Sequence, residues 1–235
     1  ASVDGGTGAL REMGLTIVNN SQNRNYITDI KRINTELLQQ KFKEIHITIL
    51  CDVDNSICGP EGAAAGVAPQ KGASREQVVM LDKQLGLWSD LLRQNTGKDV
   101  TRLRHGGAAG GITAAMYALL NAQLVSGSEY CLTLSRFHDY LLQAGVVITG
   151  EGKIDLQSFY GKIPGTIANF CQKQNIPVYA VVGLAEKQVL PRFDKVFTMS
   201  QYARSVQDSI KNAPYYLKII AQAIVDTLYL SAYSD

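Results

Sequence analysis

Glu151, Lys153, Asp155, Ser158 and Lys162 lie close together in one short polar stretch that follows the β-branched run Val146-Val147-Ile148. Carboxylates at this spacing can hold a divalent cation or orient a hydroxyl, and ammoniums beside them can meet a phosphate. The apolar run reads as a buried strand, the chain is expected to break on Gly150 and Gly152, and a helix is expected to follow with Pro164 in its first turn. Strand, polar glycine-rich turn and helix is the layout in which open α/β sheets bind ligands. An ordinary strand-to-helix connection uses the same residues, so this stretch alone does not decide.

Other segments repeat the pattern. Glu44 to Cys51 is a strand by its alternation, with His46 on it as a packed or edge histidine. Asp52, Asp54 and Asn55 follow at its carboxyl end, placed for metal or hydroxyl contacts or simply to make the turn. Gln70-Lys71-Gly72 sets an ammonium against a glycine, and His105-Gly106-Gly107-Ala108-Ala109-Gly110-Gly111 leads into an apolar helix expected over Ile112 to Leu124. Glycine there would let backbone N–H groups approach an anion or let helices pack closely. Asp4-Gly5-Gly6 opens a loop that enters a helix closed by Gly14. Neither G-x-G-x-x-G in a βαβ setting nor G-x-x-x-x-G-K-[ST] occurs, so dinucleotide and P-loop fingerprints give no support.

The elements that must position these residues alternate. Asn19 to Asn25 is polar and reads as a surface loop, and Ile30 to Lys43 as helix or coil. Ser74 and Gln77 form a capping box for a helix from Arg75 to Gln94, whose apolar face includes Trp88 as a core residue. Glu129 to Ala144 reads as one helix, Pro177 to Gly183 and Lys195 to Met199 as strands, and Ala213 to Ser231 as a final amphipathic helix. This rhythm predicts an α/β protein with mostly parallel sheets flanked by helices.

Among 235 residues, 46% are hydrophobic and 19% charged, and the net charge is +2. That balance is ordinary for a globular enzyme and too mild to argue for nucleic acid or an anionic membrane surface. No apolar run reaches the length of a membrane span. The four cysteines, Cys51, Cys58, Cys131 and Cys171, have no paired zinc spacing and are expected to be reduced thiols of a cytoplasmic protein.

Read in series, six segments resemble the class I glycerate kinase family. They are Cys51-Asp52-Val53-Asp54-Asn55, Gly59-Pro60-Glu61-Gly62-Ala63, Pro69-Gln70-Lys71-Gly72-Ala73, Gly107-Ala108-Ala109-Gly110-Gly111, Ile148 to Asp155, and Gln157 to Pro164. Family members read C-D-V-x-N, G-P-x-G-A, P-Q-K-G-A, G-A-A-G-G and I-T-G-E-G-[RK]-[IL]-D-x-Q-[ST]-x-x-G-K-x-P. Ser56-Ile57-Cys58, Thr113 and Tyr160 depart from the usual pattern. Ala1 to Gly6 resembles an internal family segment, and the family's amino-terminal motifs do not occur here. The chain is therefore expected to be a fragment or truncated relative, with little activity alone and a tendency to self-associate.

The resemblance implies transfer of the γ-phosphoryl group of ATP, with Mg2+, to a hydroxyl of glycerate, 2-phosphoglycerate being the favoured product. It implies two unlike α/β parts, residues 1–145 and a Rossmann-like 146–235, with the site in the cleft between them. Asp52, Glu151 and Asp155 would be catalytic, Glu151 and Asp155 also holding the metal. Asp4, Gly5, Gly6, Asn55, Gln70, Lys71, Gly72, Ala109, Gly110, Gly111, Ser158 and Lys162 would bind substrate or phosphate, Lys71 and Lys162 facing one shared cleft. Two other classes stay open: a non-catalytic anion- or nucleotide-binding α/β module, and a nicotinamide-dependent oxidoreductase disfavoured by the absent fingerprint.

Overall fold

The computed structural model describes residues 3–19, 27 and 30–232. Its contacts divide the chain into two compact units, Ala1–Tyr130 and Cys131–Asp235. Of the polar segment read as a surface loop, Asn19 closes a strand and residues 20–25 lie outside the described residues.

In the first unit, α1 (Thr7–Met13) ends on Gly14, as its sequence predicts. The strand β1 (Thr16–Asn19) pairs antiparallel with β2 (Ile30–Asn34), and α2 (Glu36–Phe42) comes after them. The stretch expected to be helix or coil therefore divides into strand and helix. Its lost helical phase is β2, in which Ile33 is buried while Lys31 and Arg32 are exposed.

The strand β3 (Thr48–Cys51) is shorter than its alternation suggests, and His46 lies before it, exposed. After it come α3 (Ala63–Val67), a 3-10 turn over Pro69–Lys71, and α4 (Arg75–Thr96). The expected capping box forms: Gln77 N–H donates to Ser74 Oγ at 3.3 Å, and Ser74 N–H donates to Gln77 Oε1 at 2.8 Å. The helix α5 (Ile112–Leu120) is shorter than expected because Asn121 takes a left-handed C-cap with φ 55°. The next element is a strand, β4 (Gln123–Ser126), parallel to β3, so Leu124 is a strand residue. Buried Leu10, Leu38, Leu85, Trp88, Leu92, Ala114, Ala115 and Leu119 make the core between these helices. In place of one helix over residues 129–144, α6 (Gly127–Leu134) and α7 (Phe137–Leu141) are separated at Arg136, which is left-handed with φ 55°.

The second unit is a three-stranded parallel sheet in the order β5 (Val147–Ile154), β6 (Val178–Ala185), β7 (Lys195–Thr198). Between β5 and β6 runs α8 (Ile163–Gln174), with Pro164 in its first turn. After β7 come α9 (Val206–Lys211) and α10 (Ala213–Ala232). Alternation along β6 fills both faces. Val178, Ala180 and Val182 pack with Ile167, Ala168 and Cys171 on one side, and Tyr179 and Val181 with Ile220 and Ile224 on the other. Helices therefore cover both faces of this sheet, as parallel strands require.

β5 does not break at its glycines but runs through both to Ile154. Parallel pairing with β6 satisfies its backbone, and at Gly150 the missing side chain is needed for space, whereas Gly152 faces open space. A Cβ on Gly150 would stand 2.7 Å from the Val181 carbonyl oxygen, and one on Gly183 would stand 2.5 Å from that of Gly152.

Candidate functional site

The carboxyl end of β5 carries the predicted polar cluster, and a fully buried serine organises it. Ser158 Oγ donates to Glu151 Oε2 at 2.8 Å and accepts from Asp155 N–H at 3.3 Å. Asp155 is the N-cap of a 3-10 turn over Leu156–Phe159, with its Oδ1 accepting from Gln157 N–H at 2.9 Å. Lys162 Nζ reaches Glu151 Oε1 at 3.5 Å from the position just before α8. Four of the predicted residues, Glu151, Asp155, Ser158 and Lys162, therefore meet in one place.

Lys153 and Glu186 complete that place. Lys153 Nζ lies 2.8 Å from Glu186 Oε1 and 3.2 Å from Asp155 Oδ2. Hydrogen bonds to Glu186 and Asp155 raise the pKa of Lys153, and the same ammonium lowers that of Glu186. Burial alone would push the Asp155 carboxyl up. The Lys153 hydrogen bond and charge, the Gln157 N–H and the Lys162 charge outweigh burial and hold it below its ordinary value. Glu186 is not among the residues that the sequence points to. Its place just past the end of β6, the neighbour of β5, is the usable signal, because ligand groups gather where parallel strands end.

In the first unit the glycine turns pack on one another. Gly5 N–H donates to Gly110 O at 3.0 Å, and the Trp88 indole N–H donates to Gly5 O at 3.1 Å. Asp4 accepts from Gly6 N–H and Gly8 N–H, both at 3.1 Å, which fixes the start of α1. Ala109, Gly110 and Gly111 are successively left-handed, at φ 49°, 77° and 95°. For Ala109 that conformation costs about 1–2 kcal/mol, a strain of the kind that clusters at functional sites.

Asn55 belongs to the same assembly: its carbonyl accepts from Gly107 N–H at 2.9 Å. Its side-chain Oδ1 is buried with no hydrogen-bond partner among the described residues. The turn is braced by a network that the sequence does not single out. Arg104 grips both oxygens of Asp54, at 3.1 and 3.2 Å. The nearly buried His105 ring places Nδ1 2.7 Å from Val53 O and 3.2 Å from Asp54 Oδ1. Asp52 and Lys71 are exposed and make no ion pair among the described residues. Gln70 donates to Gly66 O at 3.2 Å, and Gly72 is left-handed with φ 88°.

Among the described residues no group of three or more His, Cys, Asp or Glu could hold a metal ion. Mg2+ commonly binds through one or two carboxylates together with substrate phosphates rather than in an all-protein cage. Glu151 and Asp155, joined through Ser158, fit that mode. Among the described residues no helix is long and apolar enough to cross a membrane.

The family model described as "Glycerate kinase family" matches residues 1–229. A glycerate kinase of Haemophilus influenzae is 33% identical over 238 residues, a match covering 97% of this chain and 63% of that protein. One of Halalkalibacterium halodurans is 34% identical over 188 residues, covering 78% of this chain and 50% of that protein. A crystal structure of a glycerate kinase 2 candidate from Salmonella typhimurium LT2 superposes with a TM-score of 0.70 at 32% identity, covering 97% of this chain and 62% of that one. The chain thus spans between half and just under two thirds of the length of these relatives.

Proposed function

The chain belongs to the glycerate kinase family, and from that premise we propose that it phosphorylates a hydroxyl of glycerate at the expense of ATP, giving 2-phosphoglycerate. The observation that carries this reading is the gathering of Glu151, Asp155, Lys153 and Lys162 around buried Ser158 at the end of a parallel strand. Phosphoryl transfer is largely positioning and charge stabilisation, and the two ammoniums supply positive charge where negative charge gathers on the phosphate oxygens. Glu151 is fixed in one orientation by the Ser158 hydroxyl and accepts the hydrogen bond of the attacking hydroxyl. Asp155, kept ionised by Lys153, would with Glu151 hold a magnesium ion, whose chemistry is to neutralise phosphate charge.

In the first unit, Asn55 is a group for a hydroxyl, and exposed Lys71 one for a carboxylate or phosphate. The backbone of Asp4 to Gly6 and Gln70 to Gly72, the Ala109 to Gly111 turn and exposed Asp52 are further binding groups of that unit. A coupled assay with ATP, Mg2+ and D-glycerate tests the proposal, the product being identified by phosphorus NMR. Nucleotide binding without turnover would sink the kinase reading in favour of a binding module.

A further inference from the structure

A cavity of about 840 Å³ opens in the second unit between the ends of β5 and β6 and the segment leading into α9. Its floor is free of side chains at two adjacent points. In the register Glu151↔Val182 and Lys153↔Leu184, Gly152 stands opposite Gly183, and both line the cavity. A Cβ on Gly152 would meet nothing within 4 Å. Gly152 therefore leaves bare backbone facing open space, and Gly183 beside it adds no side chain. The walls are apolar, formed by Leu184, Met199, Ala203 and Val206. Leu184 is 41% and Val206 61% exposed, so both keep apolar surface in water that a flat ring would cover.

Charge enters from β5 and from the segment before α9. Lys153, Glu151 and Arg204 line the same cavity, and Glu151 is the residue to which Lys162 is paired. The cavity is therefore continuous with the phosphate-facing cluster. Glycerate is small and polar along its whole length, and a cavity of this size with such walls does not match it. Pockets of roughly 300–1,000 Å³ with apolar walls and a few polar groups suit a larger, partly aromatic ligand.

We propose that this cavity binds the nucleoside part of an adenine nucleotide, its ring stacked on the Gly152–Gly183 patch and its phosphates directed past Glu151 to Lys153 and Lys162. The assignment rests on the phosphotransferase reading above and adds to it the subsite for the phosphoryl donor.

Hydrogen–deuterium exchange of the whole chain, with ADP, adenosine or pyrophosphate as separate probes, tests the placement. ADP and adenosine should each slow exchange over residues 199–213, and pyrophosphate should leave that segment unchanged. Protection there by pyrophosphate alone, or ADP protection that spares the segment, overturns the proposal. Ala203→Phe, which fills the cavity, should weaken binding of a fluorescent ADP analogue at least tenfold and raise the KM for ATP without moving that for glycerate. Val206→Gln should act in the same direction should Ala203→Phe lower the melting temperature. Unchanged ADP affinity in a folded variant also overturns it. Normal glycerate phosphorylation with neither effect sinks the subsite and leaves the kinase reading standing. Adenosine protection at 199–213 without turnover does the reverse.

Discussion

Ser158 sets the geometry of two carboxylates at once, through Glu151 Oε2 and the backbone of Asp155. Both carboxylates stand at the rim of an exposed polar cluster, so exchanging one for its amide changes charge while keeping volume. Glu151→Gln should lower turnover by on the order of a hundredfold or more if the carboxylate acts on the transition state. Its melting temperature should stay within a few degrees of the parent. A parallel loss of fold and activity would instead assign Glu151 to turn formation.

Asp155 makes a separate prediction through pH. A carboxyl whose pKa is lower folded than unfolded stabilises the protein above the unfolded value, and that contribution disappears as pH falls through the folded one. The Lys153 ammonium, the Gln157 N–H and Lys162 hold Asp155 below its reference value of 3.8 against the opposing effect of burial. Its contribution should therefore be complete above about pH 5 and lost progressively below pH 3.8. Melting temperature followed against pH should fall less steeply on the acid side in Asp155→Asn than in the parent. Identical acid limbs would show that the carboxylate is not coupled to the fold.

Elements are legible in the sequence where a local rule fixes them. The capping box at Ser74 and Gln77, Gly14 after α1 and Pro164 in α8 each name a boundary, and each stands where the rule puts it. β4 escapes notice because its Leu124-Val125 continues the apolar run of α5, and the only mark of the boundary is left-handed Asn121. β5 is misjudged for the opposite reason. Its glycines look like breakers, and the real cause at Gly150, the Val181 carbonyl oxygen of β6 2.7 Å from where a Cβ would sit, depends on a partner strand far away in sequence. Of the site, Glu151, Asp155, Ser158 and Lys162 are legible because they share one segment. Glu186 and the Asp54–Arg104–His105 brace are not, because tertiary pairing brings them in.

The glycine turns show the same limit and can be separated by experiment. Gly107 has an ordinary backbone, φ −85°, but a Cβ there would stand 2.2 Å from the Ser56 carbonyl oxygen. Gly72 has φ 88° and open space around it. Gly107→Ala must push two backbone segments apart and should cost about 2–3 kcal/mol. Gly72→Ala meets only the left-handed penalty of about 1 kcal/mol. Urea denaturation of both variants checks the order. A larger loss at Gly72 would mean that backbone strain, not packing of the Asn55 turn, governs these loops.

Across the whole molecule the chemistry-bearing residues follow strand ends in two parallel sheets, Asp52 to Asn55 after β3 and Glu151 to Lys162 at and beyond the end of β5. Neither set amounts to a metal cage among the described residues, and the second is already compensated by Lys153 and Lys162. A divalent cation entering without phosphate would have to displace those ammoniums and recover little coordination, because Mg2+ gives up its water reluctantly. A cation arriving with a nucleotide brings phosphate oxygens to complete its shell and to take over the two lysines. Mg2+ alone should therefore bind this chain weakly, with calorimetric heats near dilution at sub-millimolar protein. In the presence of ADP the cation affinity should rise by at least tenfold, and by linkage Mg2+ should tighten ADP to the same extent. Glu151→Gln and Asp155→Asn should each reduce that coupling while leaving metal-free ADP binding largely intact. Tight Mg2+ binding without nucleotide would show that the protein holds a metal site of its own, and would remove magnesium from the role given to Glu151 and Asp155.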